Sequence, residues 1–214
     1  DDPARVEADS DDVDYILEAT NHAFPRADVT ARDIISTYAG LRPLVAPEDE
    51  KDESDISRDD QIFESPSGLL SLGGGKLTTH RHVAERIVDL VASRLGRTVP
   101  RCRTHNTPLP GAAGVAAGAA LDQPAQTREE HLRWRYGALA AEVSALAHGE
   151  DRLGRRVVDD CGDLLAEAAY AVDREMGIAL VDVMTRRLHT HLRSRHVDEK
   201  LARSVAEVMA PRLG

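Results

Sequence analysis

The sequence predicts a mainly α-helical chain with a small β part, and three observations point that way. Aromatic residues make up only 3% of the 214 residues while apolar residues make up 42%, so a core has to be built from Ala, Leu, Val and Ile, which favours packed helices. Through the C-terminal half, apolar residues recur at three- and four-residue steps, the period of an amphipathic helix. Short apolar runs bounded by Asp, Pro and Gly, as expected of strands, are confined to the N-terminal half.

Along the chain, residues 10–22 read as a short helix, and Thr30, Ala31, Arg32 and Asp33 have the spacing of a helix-start box. Residues 34–45 are strand-like. The stretch 48–55, EDEKDESD, has almost nothing to bury and reads as a solvated loop. Residues 56–63 and 69–72 read as short strands. From Lys76 the period changes: His80, Ala84, Ile87, Val88, Val91 and Leu95 predict a helix of about five turns, ~30 Å, ending before Gly96.

Residues 100–126, rich in Pro, Gly and Ala, read as a linker between a strand-containing part, 1–99, and a helical part, 127–214. The second part opens on the box Thr127 to Glu130 and a stripe of Leu132, Tyr136, Leu139, Val143 and Leu146. Further stripes run through Cys161, Leu164, Leu165, Ala168 and Val172, then Leu180, Val183, Met184, Leu188 and Leu192, then Val197, Leu201, Val205, Val208 and Met209. Four such stripes predict a small helical bundle.

Charge and composition exclude several functions. The net charge of −10 sits in residues 1–60, which hold 18 acidic and 6 basic groups, and it opposes an embrace of nucleic acid by the protein as a whole. Only the run Arg186, Arg187, Arg193 and Arg195 leaves a helical nucleic-acid binder as a third-ranked reading. No apolar run has the ~20 residues of a membrane-spanning helix, and the acidic N-terminus lacks the basic and apolar regions of a signal peptide, so the expected location is cytoplasmic. Cys102 and Cys161 have no metal-ligand spacing and read as free thiols. His189, His191 and His196 lack the i, i+4 spacing of helical zinc ligands, so no metal site is assigned.

Residues 70–81, LSLGGGKLTTHR, run from a strand through three glycines into a helix start. Such a junction lets a ligand approach the backbone, points free N–H groups outward and adds the positive end of a helix dipole, which Lys76 strengthens. A plain tight turn with a solvated lysine would give the same string. The nucleotide loop pattern GxxxxGK[ST] does not match, and GxGxxG is absent. Lys76 is one of 3 lysines among 27 basic residues, and its point charge suits a phosphate or a reduced flavin. Arg42 and Arg58 each follow or interrupt a strand-like run and could enter the same cleft; Asp59 and Asp60 read as loop carboxylates.

The stretches TYAGLRPLV (37–45), ISRDDQI (56–62) and LLSLGGGKLTTHRHVAERIVDLV (69–91) resemble flavin-linked glycerol-3-phosphate dehydrogenases, whose corresponding stretches read YxGxRPL, xxRD and GGKLTTYR. Order and spacing agree, with His80 in place of the family's usual tyrosine and Gly73 where an aromatic is frequent. The tail, with YAVDREM (170–176) and LVDVMTRR (180–187), is similar to that family's C-terminal domain.

The resemblance implies the C-terminal part of the FAD and substrate domain, 1–99, followed by a helical domain. It also implies oxidation of sn-glycerol 3-phosphate to dihydroxyacetone phosphate, with hydride passing to the flavin and electrons to a quinone or another acceptor. Arg42, Arg58 and Lys76 match the family's substrate-site positions. Gly74, Gly75, Lys76, Leu77 and Thr78 match the turn that meets the flavin's pyrimidine edge.

The GxGxxG fold that holds the ADP part of FAD is missing from these residues. The chain alone is therefore expected to be inactive and to retain no FAD, with the catalytic base and the FAD-binding region supplied by a missing N-terminal part. The start at Asp1 suits an excised domain or processed fragment. Peripheral attachment at the inner face of the cell membrane and a homodimer are open for the complete enzyme, and a non-catalytic helical interaction or assembly domain is the alternative function.

Overall fold

The structure, a computed structural model, describes residues 5–41, 44–45, 59–114 and 127–214. These fall into two units, one built on Ala39–Pro108 and one combining Glu7–Tyr38 with Leu109–Gly214. The mainly helical fold class holds, since among the described residues the sheet has two strands and the other regular elements are helical.

In the first unit, β1 (Gln61–Glu64) and β2 (Leu70–Gly73) form an antiparallel hairpin that sets Ile62 opposite Leu72 and Phe63 opposite Ser71. The chain then passes through a 3-10 turn, Leu77–Thr79, into α2 (His80–Arg94). The α-helix therefore starts at His80, the first residue of the recurring period and four residues after Lys76. Arg86 pairs with Asp60 at 2.5 Å and Arg94 with Glu64, tying α2 to the hairpin. Both pairs are partly exposed, so they fix geometry more than they stabilise. Among the described residues of this unit only Val83 and Ala92 are buried apolar side chains.

The strand expected over 34–45 does not form at its described residues, 34–41 and 44–45. A strand persists only where a neighbour takes its N–H and C=O groups, and none of the described residues pairs with this one.

The second unit has the larger core. Helix α1 (Ser10–Ala23) is capped by Asp9, whose carboxylate accepts from Asp11 and Asp12 N–H at 2.9 Å. The box at Thr30 forms as read, with Asp33 accepting from Thr30 N–H at 2.8 Å. Helix α3 (Arg128–Tyr136) starts on the predicted box, Thr127 with Glu130. It stops at Gly137, whose φ of 56° and ψ of −125° no α-helix accommodates and which opens a 3-10 turn, Gly137–Leu139. The stripe read as one helix is thus two, α3 and α4 (Ala140–Gly149).

Helix α5 (Leu165–Glu175) is the centre of this unit. Every residue from Leu165 to Ala171 is buried, including Glu167 and Tyr170. Its four alanines, Ala166, Ala168, Ala169 and Ala171, favour a helix and let α4 and α7 (Glu199–Leu213) approach from different sides. Leu132, Val143, Val183, Leu188 and Val205 fill the space around it.

The stripe from Leu180 to Leu192 also departs from a single α-helix. It folds as a π-helical turn, Asp182–Arg187, then left-handed His189 at φ 55°, then the short α6 (Thr190–Arg193). The reason is visible in the acceptors: Arg187 O takes a hydrogen bond from Arg135, and Leu188 O one from Arg193 at 2.7 Å. Those carbonyls face guanidinium groups instead of the next helical turn.

The uneven cores give a direct expectation. Leu188→Ala, at a fully buried position, should cost about 2–5 kcal/mol. Leu77→Ala, at 87% exposure, should change stability by under about 0.5 kcal/mol. Urea unfolding followed by circular dichroism checks both.

Candidate functional site

The glycine turn after β2 is shaped by its neighbours as well as by its own backbone. Gly74 and Gly75 take φ of 70° and 88°, a region side chains avoid. A Cβ on Gly74 would lie 2.5 Å from Asp59 O, and one on Gly75 3.3 Å from Asp60 Cβ. The turn therefore lies directly on the residues that open the hairpin. Gly73 faces Val45 and Phe63 in the same way, at 3.0 and 3.2 Å from where its Cβ would be. Three places distant in sequence, Val45, Asp59 with Asp60, and Gly73 to Gly75, meet at one point.

Beyond the glycines two backbone donors find no partner among the described residues. The first bond of the 3-10 turn is Thr79 N–H to Lys76 O at 3.0 Å, so the Leu77 and Thr78 N–H groups precede any intrahelical partner. Lys76, at the cap position, makes no side-chain cap bond, whereas α1, α3 and α7 are capped by Asp9, Thr127 and Asp198. Lys76, Leu77 and Thr78 are exposed. His80 turns its Nδ1 to Leu77 O at 2.6 Å, which stiffens the turn from the helix side. Arg42 and Arg58, the other two residues assigned to this site, lie outside the described residues.

A second constellation went unread in the sequence. His131, Asp163 and Glu167 are buried with their ligand atoms within 4.8 Å of one another. His131 Nε2 is 2.9 Å from Glu167 Oε1 and 3.5 Å from Asp163 Oδ1. The carboxylates are already matched: Arg135 reaches Asp163 at 2.8 Å and Glu167 at 3.2 Å, and Arg193 pairs with the other Asp163 oxygen. Glu167 also accepts from Leu164 N–H at 2.8 Å and Tyr136 OH at 3.1 Å. Burial, with the Glu167 carboxylate beside it, raises the Tyr136 phenol well above its usual range, so it stays a donor.

This chemistry does not fit a divalent metal. Ligands around a tetrahedral zinc at about 2.0–2.1 Å stand roughly 3.3 Å apart, while the His131–Glu167 distance of 2.9 Å is that of a hydrogen bond. A dication would also meet two guanidinium groups. The cluster is a self-neutralised network that joins α3, α5 and α6 through Arg135, Glu167 and Arg193. Gly162 belongs to it sterically, since a Cβ there would lie 2.8 Å from His131 Nδ1.

Of the histidines weighed as ligands, His189, His191 and His196 have no place in this cluster. Partial burial, and then the charges of Arg135 and Arg193, hold His189 below its ordinary value. Both cysteines are free, and burial raises the Cys161 thiol, which suits an unreactive core residue. The network left one trace in the sequence: Asp163 and Glu167, a helical turn apart, border the apolar Leu164–Leu165 and Ala168 stripe. Their side-chain partners are 28 or more residues away in sequence, and no local period reveals them.

Residues 102–214 match the family described as the C-terminal domain of alpha-glycerophosphate oxidase. The chain is 38% identical over 193 residues to a glycerol-3-phosphate dehydrogenase of Synechocystis, covering 86% of this chain and 35% of the relative. It is 36% identical over 200 residues to the aerobic glycerol-3-phosphate dehydrogenase of Bacillus subtilis, covering 83% and 35%. Glycerol-3-phosphate dehydrogenase 2 of Mycobacterium bovis is 36% identical over 219 residues, covering 99% and 37%. The chain thus spans little more than a third of the length of these curated relatives.

The buried network makes its own prediction. Asp163→Asn removes a fully buried charge facing Arg135 and Arg193 and should cost about 3–5 kcal/mol. Gly162→Ala should also destabilise, by forcing the His131 ring aside. Thermal unfolding of both variants measures this; a change within about 0.5 kcal/mol for Asp163→Asn would show the network carries no weight.

Proposed function

The chain belongs to the family of the alpha-glycerophosphate oxidase C-terminal domain, and from that premise we propose that it is the C-terminal portion of an FAD-dependent glycerol-3-phosphate dehydrogenase. The reaction is oxidation of sn-glycerol 3-phosphate to dihydroxyacetone phosphate, with electrons passed to a quinone or another acceptor. The observation that carries the reading is the uncapped turn at Lys76 beside Gly74 and Gly75, within a chain whose relatives are named for this activity.

The residues present fit a flavin edge. Two glycines at positive φ keep the turn free of side chains, and the Leu77 and Thr78 N–H groups lie before the first intrahelical bond. Together with Lys76 they would hold negative charge where the helix dipole already favours it. FAD, when bound, supplies the hydride acceptor. Arg42 and Arg58 would bind the substrate phosphate. Support for their nearness is covalent: Arg58 is bonded to Asp59, which lies against Gly74, and Arg42 precedes by three residues Val45, which lies against Gly73.

A missing N-terminal FAD-binding region is the first partner of this portion. In helix α2 Val83 and Ala92 are buried, while Val88, Val91 and Leu95 toward its C-terminal end are exposed at 59%, 39% and 63%. Apolar side chains at four- and three-residue steps form a stripe suited to cover by the rest of the domain. No helix among the described residues is long and apolar enough to cross a membrane. A cytoplasmic enzyme, peripheral at the inner face of the membrane when complete, agrees with that. The change from one compact unit to the other at Pro108 and Leu109 falls within 100–126, which supports these residues as the linker before 127–214, while Glu7–Tyr38 groups with the second unit and not with the rest of 1–99.

Three outcomes are expected. The chain alone should purify colourless, because the adenosine and pyrophosphate contacts belong to the missing region. In the complete polypeptide Arg42→Ala should lower kcat/KM for glycerol 3-phosphate by about 10–100-fold, the value of a charge-assisted bond, with the flavin spectrum unchanged. Lys76→Ala should change both. Unchanged kcat/KM in Arg42→Ala would remove the phosphate site from this turn.

A further inference from the structure

Helix α5 ends in a turn that holds three apolar side chains in water within six residues: Met176, Ile178 and Val181, exposed at 81%, 70% and 53%. Met176 closes the helix in the left-handed conformation, φ 55°. Glycine or asparagine is usual at that position, and an apolar side chain there is strained. Gly177, which would adopt the conformation freely, stands one residue later. The backbone is thus strained at the residue whose side chain is most exposed.

The turn is also stiff. Gly177 N–H bonds to Ala171 O at 2.9 Å, and Asp182 accepts from Ala179 N–H at 3.0 Å. Across its base, Arg187 donates to Glu175 O at 2.7 and 3.2 Å. A rigid apolar projection is already in the shape it would have when bound, so docking orders little more chain.

We infer that Met176, Ile178 and Val181 seat this unit against the flavin- and substrate-binding part of the polypeptide that lies outside this chain. The inference rests on the functional reading above. The chain spans 35% of the Synechocystis relative, so most of such a polypeptide is available as the occupant. Charge disfavours an anionic bilayer, because the nearby cations are paired: Arg186 with Asp182 at 2.6 Å and Arg187 with Glu175 at 3.7 Å. Area disfavours a second copy, since a stable interface between separate chains buries about 800 Å² on each partner, more than three side chains supply. A covalently tethered partner needs no such area, because the tether keeps its effective concentration high.

Methionine oxidation tests this with internal controls. The chain has 3 methionines; Met184 and Met209 are buried at 8% and 3% exposure. Under dilute hydrogen peroxide followed by peptide mass spectrometry, Met176 of the isolated chain should form sulfoxide far faster than the other two. In the complete, flavin-loaded polypeptide Met176 should slow at least tenfold, and Ile178→Asp should restore the fast rate there while leaving the isolated chain's unfolding temperature unchanged.

Equal Met176 rates in the two proteins would overturn the inference. So would protection of the isolated chain that grows with its concentration, the mark of a second copy, or protection that needs added phosphatidylglycerol vesicles. A complete polypeptide that binds no flavin would instead defeat the functional reading, and the Met176 rate would still report docking on its own.

Discussion

The C-terminal unit depends on one buried interaction, the pairing of Asp163 and Glu167 with Arg135, Arg193 and His131. Two carboxylates without solvent would oppose folding strongly. Here each has a guanidinium, and Glu167 has in addition an imidazole, a phenol and a backbone N–H. Because the donors come from α3 and α6 and the acceptors from the start of α5, the charges can be satisfied only when those elements are in place. A network of this kind adds orientation more than net stability; the apolar packing around α5 supplies the latter.

The same network shapes the rest of the unit. Arg135 and Arg193, besides pairing with Asp163, take Arg187 O and Leu188 O as acceptors. The end of the segment that follows α5 is thereby held at Arg187 and Leu188, and Arg187 in turn donates to Glu175 O across the base of the Met176 to Val181 turn. The strand-containing unit is built differently. Its glycine turn is fixed by close backbone approach to Asp59 and Asp60, yet it buries few apolar side chains of its own and leaves a stripe of α2 exposed. It positions a backbone edge more than it encloses a core, which suits the proposed role of one wall of a flavin site.

Local features were legible in the sequence. The boxes at Thr30 and Thr127 form as read because a capping box is a three-residue geometry. The glycine turn was legible because its glycines meet a conformational demand, seen in their positive φ. Features that need a distant partner were hidden. The strand-like pattern at 34–45 gave no sign that its described residues lack a pairing strand. The stripe from Leu132 to Leu146 ran straight over Gly137, since periodicity does not register one residue at φ 56°. Nothing in the local pattern separates Glu167 from a helix-surface acid, and only the approach of His131 and Arg135 makes it a buried one.

We propose that this chain supplies one wall of a flavin site where sn-glycerol 3-phosphate is oxidised. Anaerobic titration of the complete polypeptide with that substrate, followed by flavin absorbance, tests it most directly. Bleaching by sn-glycerol 3-phosphate, absent with glycerol and weakened in its concentration dependence by Arg42→Ala, is the predicted result. A flavin spectrum unmoved by saturating sn-glycerol 3-phosphate would contradict the account.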